Sequence, residues 1–197
     1  MEVLVVDGGS HDGTVQVAQS LGVKVLSAPH GRARQMNMGA KVATGGILLF
    51  LHADTFLPAG FDAMVRTALA TSRGPVAGAF KLRINAPLRS LRLIERGVNW
   101  RSRWLQMPYG DQAIFLKSEI FHAIDGFPDL TIMEDFELMR RLRRLGHIVI
   151  IPVPVLTSGR RWLRLGVFKT TLINQLVIIA YLLGVPVERI ARWYRRQ

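Results

Sequence analysis

Residues 1–14 read MEVLVVDGGSHDGT, and the fold turns on how that stretch is read. A continuous apolar run, Val3 to Val6, ends on an acid and a glycine-rich turn. Unbroken apolarity over a few residues is the pattern of a strand covered on both faces. Downstream the pattern alternates. Gly13 to Leu21 reads as a helix with Asp12 as its cap, VKVL (23–26) as a second strand, and Arg32 to Ala43 as a helix broken by Gly45 and Gly46. ILLFL (47–51) reads as a third buried strand and Leu57 to Ala70 as another helix. Strand–helix alternation of this kind predicts an α/β fold, with a mostly parallel sheet flanked by helices and right-handed crossovers.

After Gly74 the style changes. VAGAFKLRI (76–84) reads as a longer strand, Leu88 to Leu105 as a basic helix, and QAIFLK (112–117) as a strand. Glu134 to Leu145 reads as a helix, IVIIP (148–152) as a last strand, and two helices close the chain. No repeat, low-complexity segment or linker interrupts it, so the 197 residues read as a single domain.

Composition narrows the function classes. About half the residues are apolar, enough for a sizeable core. The absence of cysteine excludes disulfides, thiolate metal sites and cysteine nucleophiles, and fits a reducing compartment. No signal-peptide pattern precedes the first strand. The net charge of +12 points to a polyanionic partner, against the plainer account of a solvated basic surface. The run LINQLVIIAYLLGV (172–185) is the most apolar part, but it is short of a bilayer span and interrupted by Asn174 and Gln175. It reads as a buried or interfacial helix.

Ligands of open parallel sheets bind beyond the carboxyl ends of the strands. Asp7 and Asp54 both sit at such ends, although each also suits a turn or a helix cap. DGGSHDG lacks the dinucleotide fingerprint and the lysine of a phosphate loop. Gly8 and Gly9 permit close backbone approach to a ligand. The acid repels phosphate but accepts hydrogen bonds from a base or ribose, so a nucleoside contact is expected. Asp54, two residues after His52, suits a hard cation such as Mg2+ or Mn2+ shared with diphosphate oxygens, while His52 is expected only to pack. In TIMEDFELMRRLRRLG (131–146) the acid-first, base-last order suits the helix dipole, and Glu137 is placed to pair with Arg141. Asp135 heads a stripe of Leu138, Met139 and Leu142. Desolvation there would raise its pKa and make it a better base, with a helix cap as the competing account.

Several basic segments stand out. Arg32 and Arg34 open a helix, a natural anion site. Arg160 and Arg161, in a short turn beside Trp162, form a second candidate clamp. Arg89, Arg92, Arg96 and Arg103 are expected on one helix face; Arg189, Arg192 and Arg196 are expected opposite Ile190, Trp193 and Tyr194. Basic amphipathic helices beside an apolar run favour an anionic membrane surface, and no recognised nucleic-acid module appears.

The motifs VLVVDGGSHDGT, GRARQMNMGA…ATGGILLFLHADT, AIDGFPDLTIMEDFELMRRLRRLG and TSGRRW resemble, in order and spacing, those of glycosyltransferase family 2, inverting nucleotide-sugar enzymes of GT-A (Rossmann-like) fold. The set most resembles a bacterial subgroup associated with radical-SAM/selenodomain proteins. The resemblance implies a nucleotide-sugar donor, an acceptor hydroxyl and a divalent cation, with no nucleic-acid partner. Residues 1–74 would form the nucleotide-binding half, 75–162 the acceptor-side half, and 163–197 the amphipathic C-terminal helices. Carried over by position, Asp7, Gly8, Gly9 and Arg32 would contact the nucleotide. Asp54 would hold the metal, and Asp135 would be the general base. Asp111, Glu134, Arg161 and Trp162 would lie at the acceptor or diphosphate. The implied location is cytoplasmic, peripheral to the inner face of the plasma membrane.

The sequence also departs from the family's pattern. His52 stands where the metal motif has its first acid, and Ser158 stands where processive relatives carry Gln. The family's first strand and loop, of the form SIIIPVLNE, have no counterpart, so Asp7 is expected to line a nucleoside site open on one side, with weak or absent activity. The alternative function is a membrane-associated binding protein with a degraded transferase site.

Overall fold

The structure is a computed structural model and describes residues 1–70 and 74–197. The chain opens as strand β1 (Leu4–Asp7), helix α1 (Thr14–Ser20), β2 (Lys24–Ser27), α2 (Arg32–Val42), β3 (Ile47–Leu49), β4 (Thr55–Phe56) and α3 (Phe61–Leu69). It continues as β5 (Ala77–Asn85), α4 (Leu91–Trp104), a 3-10 turn (Gly110–Gln112), β6 (Phe115–Lys117), α5 (Ser118–Ala123) and α6 (Glu134–Leu145). The last elements are β7 (Ile148–Ser158), α7 (Arg160–Leu165), α8 (Val167–Leu182) and α9 (Val187–Arg195).

The strands form two sheets. β1 and β2 pair in parallel as a two-stranded unit. The other five are ordered β3-β6-β5-β7-β4. The parallel expectation holds for β1·β2 and for β5·β7, the longest ladder; β3·β6, β5·β6 and β4·β7 are antiparallel. β7 runs well past IVIIP because a register shift at Phe80/Lys81 absorbs Pro152 and lets pairing resume at Pro154. β4 and α5 lie between the elements expected from the sequence. β4 is only two residues long, held to β7 by a hydroxyl contact of 2.9 Å between Thr55 and Thr157.

Side chains alternating along the strands feed two cores. One face of the large sheet packs Leu116 and Ala77 against Leu138, Met139 and Leu142 of α6 and Val177 of α8. The other packs Phe80, Leu82, Ile84 and Phe115 against Val65 of α3 and Leu91 of α4. Gly78 permits this closeness, since a Cβ there would collide with the Phe115 ring. Helix α2 joins the two sheets. Gln35 donates to the carbonyl of Val6 (2.8 Å), while Ala33 and Ala40 enter the first core.

Three local expectations are corrected. Glu137 pairs with Arg140 (3.0 Å), because Arg141 reaches the carbonyl of Ile124. Arg92 is not part of an open basic face: it bonds Glu95 (2.7 Å) and the carbonyls of Ile84 and Ala86. Trp193 does not oppose the arginines of α9 but shares their exposed side, while Ile190 and Ala191 are buried.

Candidate active site

The end of β1 is held by its own loop. The Asp7 carboxylate accepts from the amides of Gly9 (2.9 Å) and Ser10 (3.0 Å), and hydrogen bonds from Ser10 and Gly9 keep its carboxyl below the usual range. Gly8 lies against α2, with room for a Cβ only if the Gln35 side chain moves. The turn at Asp7 is therefore locally capped, and the residue is half-buried.

A denser cluster forms where α6 begins. The Asp135 carboxylate accepts from the amide of Gly110 (2.7 Å) through Oδ2 and from that of Phe136 (2.7 Å) through Oδ1. The three residues of its stripe, Leu138, Met139 and Leu142, are fully buried, as the spacing predicted. Next to it, Glu134 is buried and paired through Oε1 with Nε of Arg32 at 2.8 Å. Burial raises the Glu134 carboxyl above its ordinary value against the lowering effect of Arg32. Arg32, the first residue of α2, thus ties the helix beneath β1 to the acids of α6.

His52 belongs to this cluster. A Cβ on Gly110 would fall 2.8 Å from His52 Nε2 and 3.3 Å from Asp135 Oδ2, so a side chain there would have to displace His52. Burial, then the Arg32 charge, push the imidazole below its ordinary pKa, opposed by Asp135 and Asp54. The HADT spacing alone did not identify His52, because its neighbours come from far along the chain.

Asp111 sits in the same region. Its residue is half-buried, and its Oδ1 is enclosed without a hydrogen-bond partner. Burial pushes its carboxyl up to about 6, and Arg101 pulls the other way. Arg101 itself stacks over the Tyr109 ring at 3.6 Å and donates to the carbonyl of Met107. Glu134 Oε2 is likewise enclosed without a partner. Buried polar atoms left unpaired are costly and mark places where a ligand can supply the missing bond.

Asp54 lies on the exposed rim. Its carbonyl accepts from the amide of Ser158 (3.0 Å), and its carboxylate faces Arg160 at 3.8 Å. These residues border a cavity of about 360 Å³ that also involves Phe56, Asn85 and Gly159. The arginine beside Asp54 is Arg160. Arg161 instead stacks over the Tyr194 ring (4.1 Å), and Trp162 packs into the second core. The first turn of a helix, rather than a loose turn, sends these three side chains in different directions.

Among the described residues no group of three or more His, Asp or Glu could hold a metal by itself. A single exposed carboxylate fits a cation held mainly by a substrate's diphosphate oxygens, the usual pattern for Mg2+ or Mn2+.

The fold has parallels among solved structures. No curated protein sequence matches the chain significantly. Solved structures do. The mannosyltransferase PcManGT from Pyrobaculum calidifontis, in complex with GDP-Man and Mn2+, aligns with TM-score 0.61 and 21% identity over 79% of this chain and 47% of its own. TarS 1-349 from S. aureus in complex with UDP aligns with TM-score 0.60 and 17% identity over 80% and 51%. Glucosyl-3-phosphoglycerate synthase from Mycobacterium tuberculosis, with Mn2+, UDP and phosphoglyceric acid, aligns with TM-score 0.62 and 18% identity over 94% and 68%. The chain spans about half the length of the first two. These likenesses establish a shared fold, and the glycosyl transferase family 2 model matches residues 1–128, so the chain belongs to glycosyltransferase family 2.

Proposed function

We propose that the chain transfers a sugar from a nucleotide-diphosphate sugar to an acceptor hydroxyl with inversion at the anomeric carbon. The observation that carries this is Asp135, a carboxylate oriented by two backbone amides beside His52, Glu134 and Asp111. Inversion needs one base on the acceptor side and leaving-group stabilisation on the other. Asp135 takes the proton of the acceptor hydroxyl as its oxygen forms the new bond to the anomeric carbon. The bond from that carbon to the diphosphate oxygen breaks, and the nucleotide diphosphate leaves with the electron pair.

The other residues bind and orient. Asp7 and the turn at Gly8 and Gly9 hold the nucleoside, and Arg160 brings positive charge to the rim where the diphosphate lies. Arg32 positions Glu134 through their ion pair. The carboxyls of Asp111 and Glu134 stand beside Asp135 on the acceptor side. Asp54 would be the protein's ligand to a divalent cation, which when bound neutralises charge on the departing diphosphate. The GDP-Man, UDP and Mn2+ named with the structural relatives support this reading.

Asp135→Asn tests it. With UDP- and GDP-sugars, Mn2+ and a panel of hydroxyl acceptors, the variant should lose roughly 10²–10⁴-fold in nucleotide release. Donor binding by calorimetry should be unchanged. Full turnover by the variant would remove Asp135 as the base. A second reading, binding without transfer, is favoured by the separation of β1·β2 from the larger sheet and by the self-capped Asp7. It predicts donor binding with no nucleotide release in the native chain.

A further inference from the structure

Helix α8 has two apolar sides. One is buried: Val177 enters the first core, and Ile173 and Thr170 are buried on the same side. The other carries Phe168, Leu172, Leu176, Ile179 and Leu183, spaced four, four, three and four apart, and all are exposed, Phe168 by 82% and Leu183 by 78%. A helix on the surface of a globular domain normally turns polar residues to that side. A continuous apolar stripe along one helix marks an interaction surface.

The charges around the stripe say what it meets. Arg164 and Lys169 stand at its start. Past the turn at Gly184, helix α9 exposes Arg189, Arg192, Trp193 and Arg196 on one side, with Ile190 and Ala191 buried on the other. From Leu163 to the end, Glu188 is the one acid against six Lys and Arg. A second copy of this surface would bring cations against cations with almost no acid to pair them. RNA would have no use for five aliphatic or aromatic side chains in a row. An anionic lipid interface uses both parts: the stripe enters the headgroup–acyl boundary, and arginine and tryptophan sit at headgroup level. Such a helix would lie in the plane of the interface. Its 16 residues span about 24 Å at 1.5 Å each, less than the hydrocarbon core, and among the described residues no helix is long and apolar enough to cross a membrane.

We infer that the α8–α9 hairpin docks this protein on an anionic membrane surface through the Phe168–Leu183 stripe and the arginines of α9. Arg161 stacked on Tyr194 joins α9 to the segment that carries Arg160 beside Asp54, so the docked face is mechanically continuous with the rim of the candidate site.

Vesicle flotation tests the assignment. The full chain should float with phosphatidylcholine vesicles containing phosphatidylglycerol, much less with phosphatidylcholine alone, and less as salt is raised. Leu172→Asp combined with Leu176→Asp should lower partitioning more than tenfold at unchanged circular dichroism. Should that pair unfold the chain, Phe168→Ser, at a more exposed position, provides the same readout with a smaller loss. Arg189→Glu or Arg192→Glu should each weaken anionic binding by about fivefold or more. Flotation unaffected by these changes, or equal on neutral vesicles, would overturn the proposal. So would a dimer in sedimentation that Leu176→Asp disperses, or RNA retention that the same variants abolish in place of lipid binding.

Discussion

Ala77, Ala79 and Phe80 of β5 are completely buried, whereas β1 is half-buried along its length and β2 is exposed at both ends. The two sheets hold their acids accordingly. Asp7, on the thin sheet, is fixed by amides two and three residues away. Asp135, on helix α6 packed against the thick one, is fixed by Gly110, twenty-five residues away, in addition to its neighbour Phe136. A locally capped acid keeps its turn whatever the rest of the chain does. An acid held across the fold has its position set by the packing of α6 against β5 and β6. The proposed acceptor-side chemistry therefore rests on preorganisation by the core, while α2, through its ion pair from Arg32 to Glu134, ties the self-capped turn to α6.

Amide hydrogen exchange offers the largest contrast with which to break that comparison. Exchange follows the free energy of local opening, which ranges from near zero to the global stability. The amides of β5 and β7 in their shared ladder should exchange slower than those of β1 and β2 by roughly a thousandfold, given the difference in burial. A saturating nucleotide-sugar with Mn2+ should slow β1 and the turn at Gly9 more than β5. Equal protection in both sheets would show that they open as one unit and that α2 couples them rigidly.

Gly110→Ala sharpens the other side. The new Cβ would press on His52 Nε2 at 2.8 Å and on the Asp135 carboxylate at 3.3 Å. Displacement of a reacting group by a fraction of an ångström to one ångström costs about a hundredfold in rate. Nucleotide release in the presence of acceptor should fall by about that factor, with donor affinity measured by calorimetry unchanged, because Asp7 and its turn lie on the other sheet. A loss of donor affinity with turnover preserved would place Gly110 at the nucleotide and reverse the assignment of the two halves.

Some of this was readable from residue order alone. Helix α6 begins and ends where the spacing of Phe136, Leu138, Met139 and Leu142 and the stop at Gly146 put it, since a long amphipathic stripe carries its own signal. Asp54 and Asp135 were legible as candidates because each stands at the end of a strong local pattern. His52 was not: its meaning comes from Gly110 and Asp135, which a local window never shows together. Arg160 and Arg161 could not be told apart, because which of two adjacent arginines faces Asp54 depends on where the first turn of α7 begins. The exposed apolar side of α8 was equally hidden. Periodicity marks a helix as apolar all round without saying which half the core will cover.

Asp111 offers the smallest effect and the cleanest sign. Its carboxyl is pushed up to about 6 by burial, so the folded state binds a proton that the unfolded chain has already released between the ordinary aspartate value and pH 6. Stability should therefore fall as pH rises through that window and stay at the lower level above it. The shift corresponds to about 2 kcal/mol after allowance for partial exposure. Asp111→Asn keeps the shape and removes the charge. It should melt higher than the native chain at pH 8, by an amount that shrinks towards zero below pH 4, where both carry a neutral side chain. A variant less stable than the native chain at pH 8 would mean that Arg101 stabilises the Asp111 charge by more than burial costs. The acid would then serve to hold Arg101 and Tyr109 in place, and its unpaired oxygen would not be available to an acceptor.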